Sequence, residues 1–238
     1  MENPVFIILA LAIFAVGFYL VVIRVKGSTE DQDALAKARN EMDYDQVAFD
    51  EYINRSLTPA ELGERYERYL GHIYEKEGYD VEYHGAVQGV KDLGRDLIIK
   101  NGKEILVVQA KCWSSEKLIH AKHVFELVGS MAHYVLTSET KGQHVRAVFY
   151  VSYARYTGAA VEVAHDLGVD LKTEKLNNSY PMVKCKISGN GDKTYHLPFD
   201  AYYDELKVDP RKGEFFAYSV LEAFDRGYRR PRYKEDAA

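Results

Sequence analysis

Cysteine is scarce in this 238-residue chain: Cys112 and Cys185 are the only two. They stand far apart, with no CxxC pair and no histidine cluster beside them. That pattern argues against a zinc site and reads as two reduced thiols of a cytosolic domain. A positive charge excess is missing too. Lys and Arg number 31 against 36 Asp and Glu, a net charge of −5, so no global basic field advertises a nucleic-acid partner; a local patch stays compatible with it. Between Pro4 and Ile23, charge of either sign is absent. About 20 such residues are enough to cross a bilayer as a helix. Met1-Glu2-Asn3 lacks the basic start of a cleaved signal, and Ala10-Leu11-Ala12 falls too early in the apolar run to be its cleavage site. Arg24 and Lys26 follow the run while Glu2 precedes it. The expectation is an uncleaved single-pass anchor over residues 1–26, with the rest of the chain in the cytoplasm.

What is present fits a folded domain with an ample core: 47% of residues are hydrophobic and 28% charged. Nineteen tyrosines read mostly as amphipathic residues at the edge of that core. Residues 27–57 are polar helix formers and predict a solvated helical stalk. Thr58-Pro59-Ala60-Glu61 is a capping box with proline at the first helical position, so a helix starts there. Leu62, Tyr66, Tyr69 and Ile73 form its buried stripe, and Gly78 suits its end. Glu67 lies on the shoulder of the stripe, whereas Glu64 projects away from it. Tyr79, Val81 and Tyr83 alternate as a strand. A helix near 120–135, an apolar strand at Val145–Val151, a helix from Thr157 to Leu167 and a brief strand at Val169–Leu171 follow, implying an α/β layer with part of its sheet parallel. Val183, Cys185 and Ile187 then turn through Gly189-Asn190-Gly191-Asp192 into Tyr195 and Leu197, a second hairpin. A short helix and a basic end, including Arg229 and Arg230, close the chain; that run could meet phosphates or anionic lipid, or simply be solvated.

The most informative stretch is Gly94–Trp113. Leu97-Ile98-Ile99 and Ile105-Leu106-Val107-Val108 flank Asn101-Gly102, the strongest short-range hairpin signal. A type I′ turn there pairs Lys100 with Lys103 and sets Asp96 opposite Val107, with Gln109 diagonally beyond. Side chains alternate across a strand, so Asp96, Gln109 and Lys111 share one face with Ile98 and Ile105. Three polar groups at the end of an apolar hairpin either pair with each other, meet solvent or bind something.

GERYERYLGHIYEKEGYDV, KDLGRDLII, VVQAKCW, VFELVGSMAHY and AAVEVAHDLGVDL, in this order, resemble the Mrr-like branch of the PD-(D/E)xK nuclease superfamily over about residues 58–175. The resemblance implies a restriction-endonuclease-like α/β core, αβββαβ with a mixed central sheet, over residues 58–176. A small α+β tail would occupy 177–238. It also implies hydrolysis of DNA phosphodiester bonds. Asp96 and Gln109-Ala110-Lys111 fit the branch's aspartate and Q-x-K signature, and Glu67 fits its helix glutamate. Asp96, Gln109 and Glu67 would then hold Mg²⁺ or Mn²⁺, with no organic cofactor, while Lys111 orients or deprotonates the attacking water. The Ala110 carbonyl is a candidate neighbouring ligand, and Asp92 a candidate helper acid. A glutamine in place of an acid removes one negative charge and predicts weaker metal binding. Lys91, Arg95, Lys117, Lys122, Arg229 and Arg230 are candidate DNA contacts, with His120 and His123 beside them, and a homodimer is a candidate assembly. Two features depart from restriction enzymes of this branch: an anchor stands where a DNA-reading domain is usual, and no recognition helix is apparent. SVLEAFDRGYRR resembles the helix of Ada-type metal modules, but the cysteines of such modules are missing. A non-catalytic nucleic-acid-binding module on the same fold is the alternative.

Overall fold

The computed structural model describes residues 31–84 and 93–231. The expected anchor lies outside these residues, as do Lys91 and Asp92. Among the described residues, no helix is long and apolar enough to cross a membrane.

Helix α1 (residues 31–54) corrects the expectation of a solvated stalk. Met42 and Phe49 are each 2% exposed and belong to the main core. The Asp45 carboxylate accepts from the Tyr195 hydroxyl at 2.7 Å, and Gln46 Oε1 accepts from Leu221 N at 3.0 Å. Its apolar positions are few, and the partners that cover them lie far along the chain, so local composition hid the contact.

Helix α2 (Pro59–Lys76) starts at the expected box. Thr58 Oγ1 accepts from Glu61 N at 3.3 Å, and the Glu61 carboxylate accepts from Thr58 N at 2.9 Å, so two orphan donors of the first turn are satisfied reciprocally. Gly78 follows the helix end in the left-handed region, φ +84°. Tyr66, Tyr69, Leu70 and Tyr74 form the buried face, with Leu62 and Ile73 at its margins.

The chain continues through β1 (Asp80–Tyr83), β2 (Leu97–Asn101), β3 (Glu104–Lys111), β4 (Leu118–Ile119), α3 (Ala121–Thr137), β5 (His144–Val151), β6 (Arg155–Tyr156), α4 (Gly158–Leu167) and β7 (Asp170–Thr173). One five-stranded sheet runs β1-β2-β3-β5-β7. The pairs β1–β2 and β2–β3 are antiparallel, while β3–β5 and β5–β7 are parallel. The mixed sheet expected from the element order is thus observed. β4 and β6, a two-residue parallel pair beside α3, were not expected from the sequence.

The β2–β3 register corrects one detail. Asn101 pairs with Glu104 and Lys100 with Ile105, so Gly102-Lys103 forms the two-residue loop. Gly102 has φ +58°, and Lys103 is not among the positive-φ residues. This is the pattern of a type II′ turn, with glycine first, rather than the type I′ expected of Asn-Gly. The register moves by two residues, and because side chains alternate with period two, no residue changes face. Ile98, Ile105 and Val107 pack with Val124 and Leu127 of α3 and Ala160 and Ala164 of α4. Leu97, Ile99, Leu106, Val108 and Ala110 pack on α2 and the C-terminal segment.

That segment comprises β8 (Val183–Ile187), β9 (Lys193–His196), β10 (Phe215–Ala217) and α5 (Val220–Asp225), with sheet order β10-β8-β9. Its Val183, Cys185, Tyr195, Ala217 and Val220 share a core with α1 and α2. One buried ion pair crosses this junction. Lys184 Nζ lies 3.6 Å from the Glu75 carboxylate, the two side chains being 1% and 2% exposed, and donates to the Tyr203 and Leu206 carbonyls at 3.2 and 2.7 Å.

Candidate active site

Asp96 directly precedes β2, and its backbone N–H donates to the Val108 carbonyl at 2.8 Å. Val108 is the residue that Leu97 pairs with, so Asp96 sits at the Val108–Gln109 end of the hairpin rather than opposite Val107. The side chains meet directly: Gln109 Nε2 donates to Asp96 Oδ2 at 2.5 Å, and Ala110 N donates to the same oxygen at 2.7 Å. The carboxylate takes the ladder position that β2 no longer supplies, so a buried N–H keeps a partner where the strand ends. Asp96 is 3% and Gln109 6% exposed. Two donors to one buried carboxylate oxygen are charge-assisted hydrogen bonds, which hold both side chains in one geometry.

Lys111 is half-buried at the last position of β3, paired with Val151 of β5. By alternation it points to the Asp96–Gln109 side of the sheet. The structure thus gathers three of the four expected catalytic residues at one sheet end.

Glu67 is placed differently. It is half-buried on α2, and α2 packs on the opposite face from the one carrying Asp96 and Gln109. The helix does reach the same sheet end. The Tyr66 hydroxyl donates to the Glu174 carbonyl at 2.8 Å and that of Tyr69 to the Glu174 carboxylate at 3.0 Å, just beyond β7. Any approach of Glu67 to Asp96 therefore runs around the end of the sheet. Among the described residues, no three or more His, Cys, Asp or Glu form a group able to hold a metal ion. The expected ligand set does not require one, since it joins two carboxylates to an amide. These are hard oxygen donors of the kind Mg²⁺ takes. The Gln109 amide turns its nitrogen to Asp96, leaving Oε1 beside Gly94: a methyl group at Gly94 would lie 3.9 Å from it.

The backbone just before Asp96 is unusual. Gly94 has φ +75° and Leu93 φ +54°, a region where a γ-branched side chain is uncommon and costs about 1–2 kcal/mol. Arg95, expected as a surface DNA contact, is instead 8% exposed with its guanidinium over the Tyr134 ring, 5.5 Å from the centroid. Lys117 and Lys122 are exposed near the start of α3. There His123 Nδ1 accepts from His120 N at 3.0 Å, and its ring stands edge-on to Trp113; burial lowers the His123 pKa. Arg229 and Arg230 are engaged within the C-terminal segment. Arg229 donates to the Phe224 and Tyr228 carbonyls, and Arg230 binds the Asp200 carboxylate through two nitrogens at 2.5 and 2.7 Å. Ser130, in the α3 stripe and 5% exposed, was not among the expected site residues. Its signal was a polar residue at helical spacing from Leu127 and Tyr134, on a face otherwise apolar.

Residues 60–177 match the family model of restriction endonucleases, Mrr_cat. This segment, just under half of the chain, is restriction-endonuclease-like. No curated protein matches the chain. Three solved structures are similar in part. A protein of unknown function, AF1548, is 15% identical over 46% of this chain and 58% of its own, TM-score 0.35. The MspJI restriction endonuclease with a 27-mer oligonucleotide is 17% identical over 54% and 28%, TM-score 0.34. EndoMS with double-stranded DNA is 12% identical over 51% and 47%, TM-score 0.35. The chain thus spans little more than half of the first structure and less of the others, and likenesses this distant do not bear on activity.

Proposed function

We propose that this protein is a membrane-anchored endonuclease that hydrolyses DNA phosphodiester bonds with Mg²⁺ or Mn²⁺, its nuclease domain on the cytoplasmic side. The observation that carries the reading is the buried Asp96–Gln109 contact of 2.5 Å, one alternation from Lys111, within a segment that matches restriction endonucleases. Asp96, Gln109 through its amide oxygen, and Glu67 are the residues that would hold the ion. When bound, it would supply Lewis-acid polarisation of the phosphate. Lys111 orients or deprotonates the attacking water and stabilises charge developing on the phosphate oxygens. Asp96 keeps Gln109 in place and fixes the strand end, so these two donors are held together by the hydrogen bonds at the end of the β2–β3 hairpin.

The second reading, a non-catalytic nucleic-acid-binding module, is favoured by one observation: Asp96 Oδ2 already accepts two hydrogen bonds, as a carboxylate that only caps a strand would. Plasmid DNA with the full-length chain and Mg²⁺ or Mn²⁺, alongside Asp96→Asn and Lys111→Ala, separates the two. The nuclease reading expects cleavage by the wild type and a loss of at least about 10²-fold in each variant. Intact plasmid with every metal and methylation state would sink the enzyme reading; equal cutting by the variants would sink the site assignment.

A further inference from the structure

Arg95 is more than nine-tenths buried, yet among the described residues its Nε and Nη1 have no hydrogen-bond partner. Stacking on Tyr134 at 5.5 Å replaces only a small part of the hydration that a buried guanidinium loses. Arginine has no neutral form to retreat to. A second orphan lies close by: Ser130 is 5% exposed, and its Oγ also lacks a partner among the described residues. Arg95 lies over Tyr134, one helical turn from Ser130 on α3, and Gly94 ties Ser130 to the candidate site. A methyl group there would lie 4.0 Å from Ser130 Cβ and 3.9 Å from Gln109 Oε1. Arg95 and Ser130 can both donate hydrogen bonds, and one of them is a permanent cation. Such a pair calls for an anion with several acceptor oxygens, and a guanidinium fork matches phosphate in shape as well as charge.

We infer that Arg95 and Ser130 form a receptor for a non-bridging oxygen of the DNA backbone phosphate beside Asp96 and Gln109. This rests on the nuclease reading above and deepens it. Among the described residues Nε and Nη1 have no hydrogen-bond partner, so a phosphate that supplies one relieves a defect of the free protein. The glutamine at position 109 suits the arrangement, because one carboxylate fewer stands beside the incoming anion.

The test uses the full-length chain in detergent, as wild type, Arg95→Gln, Arg95→Lys and Ser130→Ala. Thermal melting is followed in anion-poor buffer and with inorganic phosphate, and affinity for a labelled duplex is measured by anisotropy with Ca²⁺ in place of Mg²⁺. The receptor predicts that Arg95→Gln melts no lower than wild type without phosphate. Phosphate should raise the melting temperature of the wild type but not of Arg95→Gln. Duplex affinity should fall about tenfold in Arg95→Gln and less in Arg95→Lys and Ser130→Ala, as expected when a charge-assisted phosphate contact is lost. Equal phosphate stabilisation of wild type and Arg95→Gln, or unchanged duplex affinity, overturns the receptor. A wild type that never cuts DNA while the phosphate response holds overturns the nuclease reading and leaves the receptor standing.

Discussion

Replacing Gln109 by glutamate sets two carboxylates against each other where an amide now donates to a carboxylate at 2.5 Å. Both positions are buried, so solvent relieves little of the repulsion. Two like charges about 4 Å apart at an effective dielectric near 20 repel by about 4 kcal/mol. The protein can escape by keeping one proton. Holding a carboxyl protonated at pH 7 against a reference pKa near 4.3 costs about 3.7 kcal/mol, which caps the penalty at a similar size. The introduced carboxyl group would share that proton with Asp96, so the folded-state pKa of the pair rises above the unfolded value. The native state then binds more protons than the unfolded one, and stability falls as pH rises from about 4.3 towards neutrality. In a domain of this size 1 kcal/mol moves the melting temperature by about 2–4 °C, so Gln109→Glu should melt about 10 °C below wild type at pH 7.5 without metal. Near pH 4 the gap should close. Millimolar Mg²⁺ should recover more melting temperature in the variant than in wild type, because the second carboxylate that repels Asp96 attracts the ion. The assay is a melting series at pH 4.5, 6 and 7.5 with EDTA or Mg²⁺. A variant that melts with wild type at pH 7.5 in EDTA would refute the buried contact; one that Mg²⁺ does not rescue would refute the metal assignment.

Other consequences follow from the same physics. Burial lowers His72 and His196 to about 4 each, below the unfolded value near 6.5, so the unfolded state takes up protons first on acidification. Their stability contribution is complete above pH 6.5 and is lost as pH falls towards 4, about 3 kcal/mol per group at the limit. Denaturant titrations of wild type and His72→Gln should diverge over that window, and parallel curves would contradict it. Lys184→Met leaves the Glu75 carboxylate buried without its cation and should destabilise by about 3–5 kcal/mol, whereas Glu75→Gln with Lys184→Met should cost much less than the two single changes together. A double-mutant cycle in denaturant reads this directly, and additive losses would show that the pair is not coupled.

Sequence alone determined much of the domain's framework, because its signals are local. The Thr58–Glu61 box, Gly78 and Gly168 bound helices through contacts within a few residues. The alternation that puts Asp96, Gln109 and Lys111 on one face survived the turn assignment, since a slip of two residues leaves every side chain where it was. Tertiary structure decided what locality could not. It made Asp96 and Gln109 partners in contact rather than diagonal neighbours, because pairing begins at Asn101–Glu104. It laid α2 and Glu67 across the other face, a choice that helical periodicity cannot make: a stripe specifies that a helix is buried, not against which side of a sheet. It drew Met42 and Phe49 into a core completed by residues far along the chain. It also buried Arg95 against α3, although its place in the sequence suggested a solvated loop.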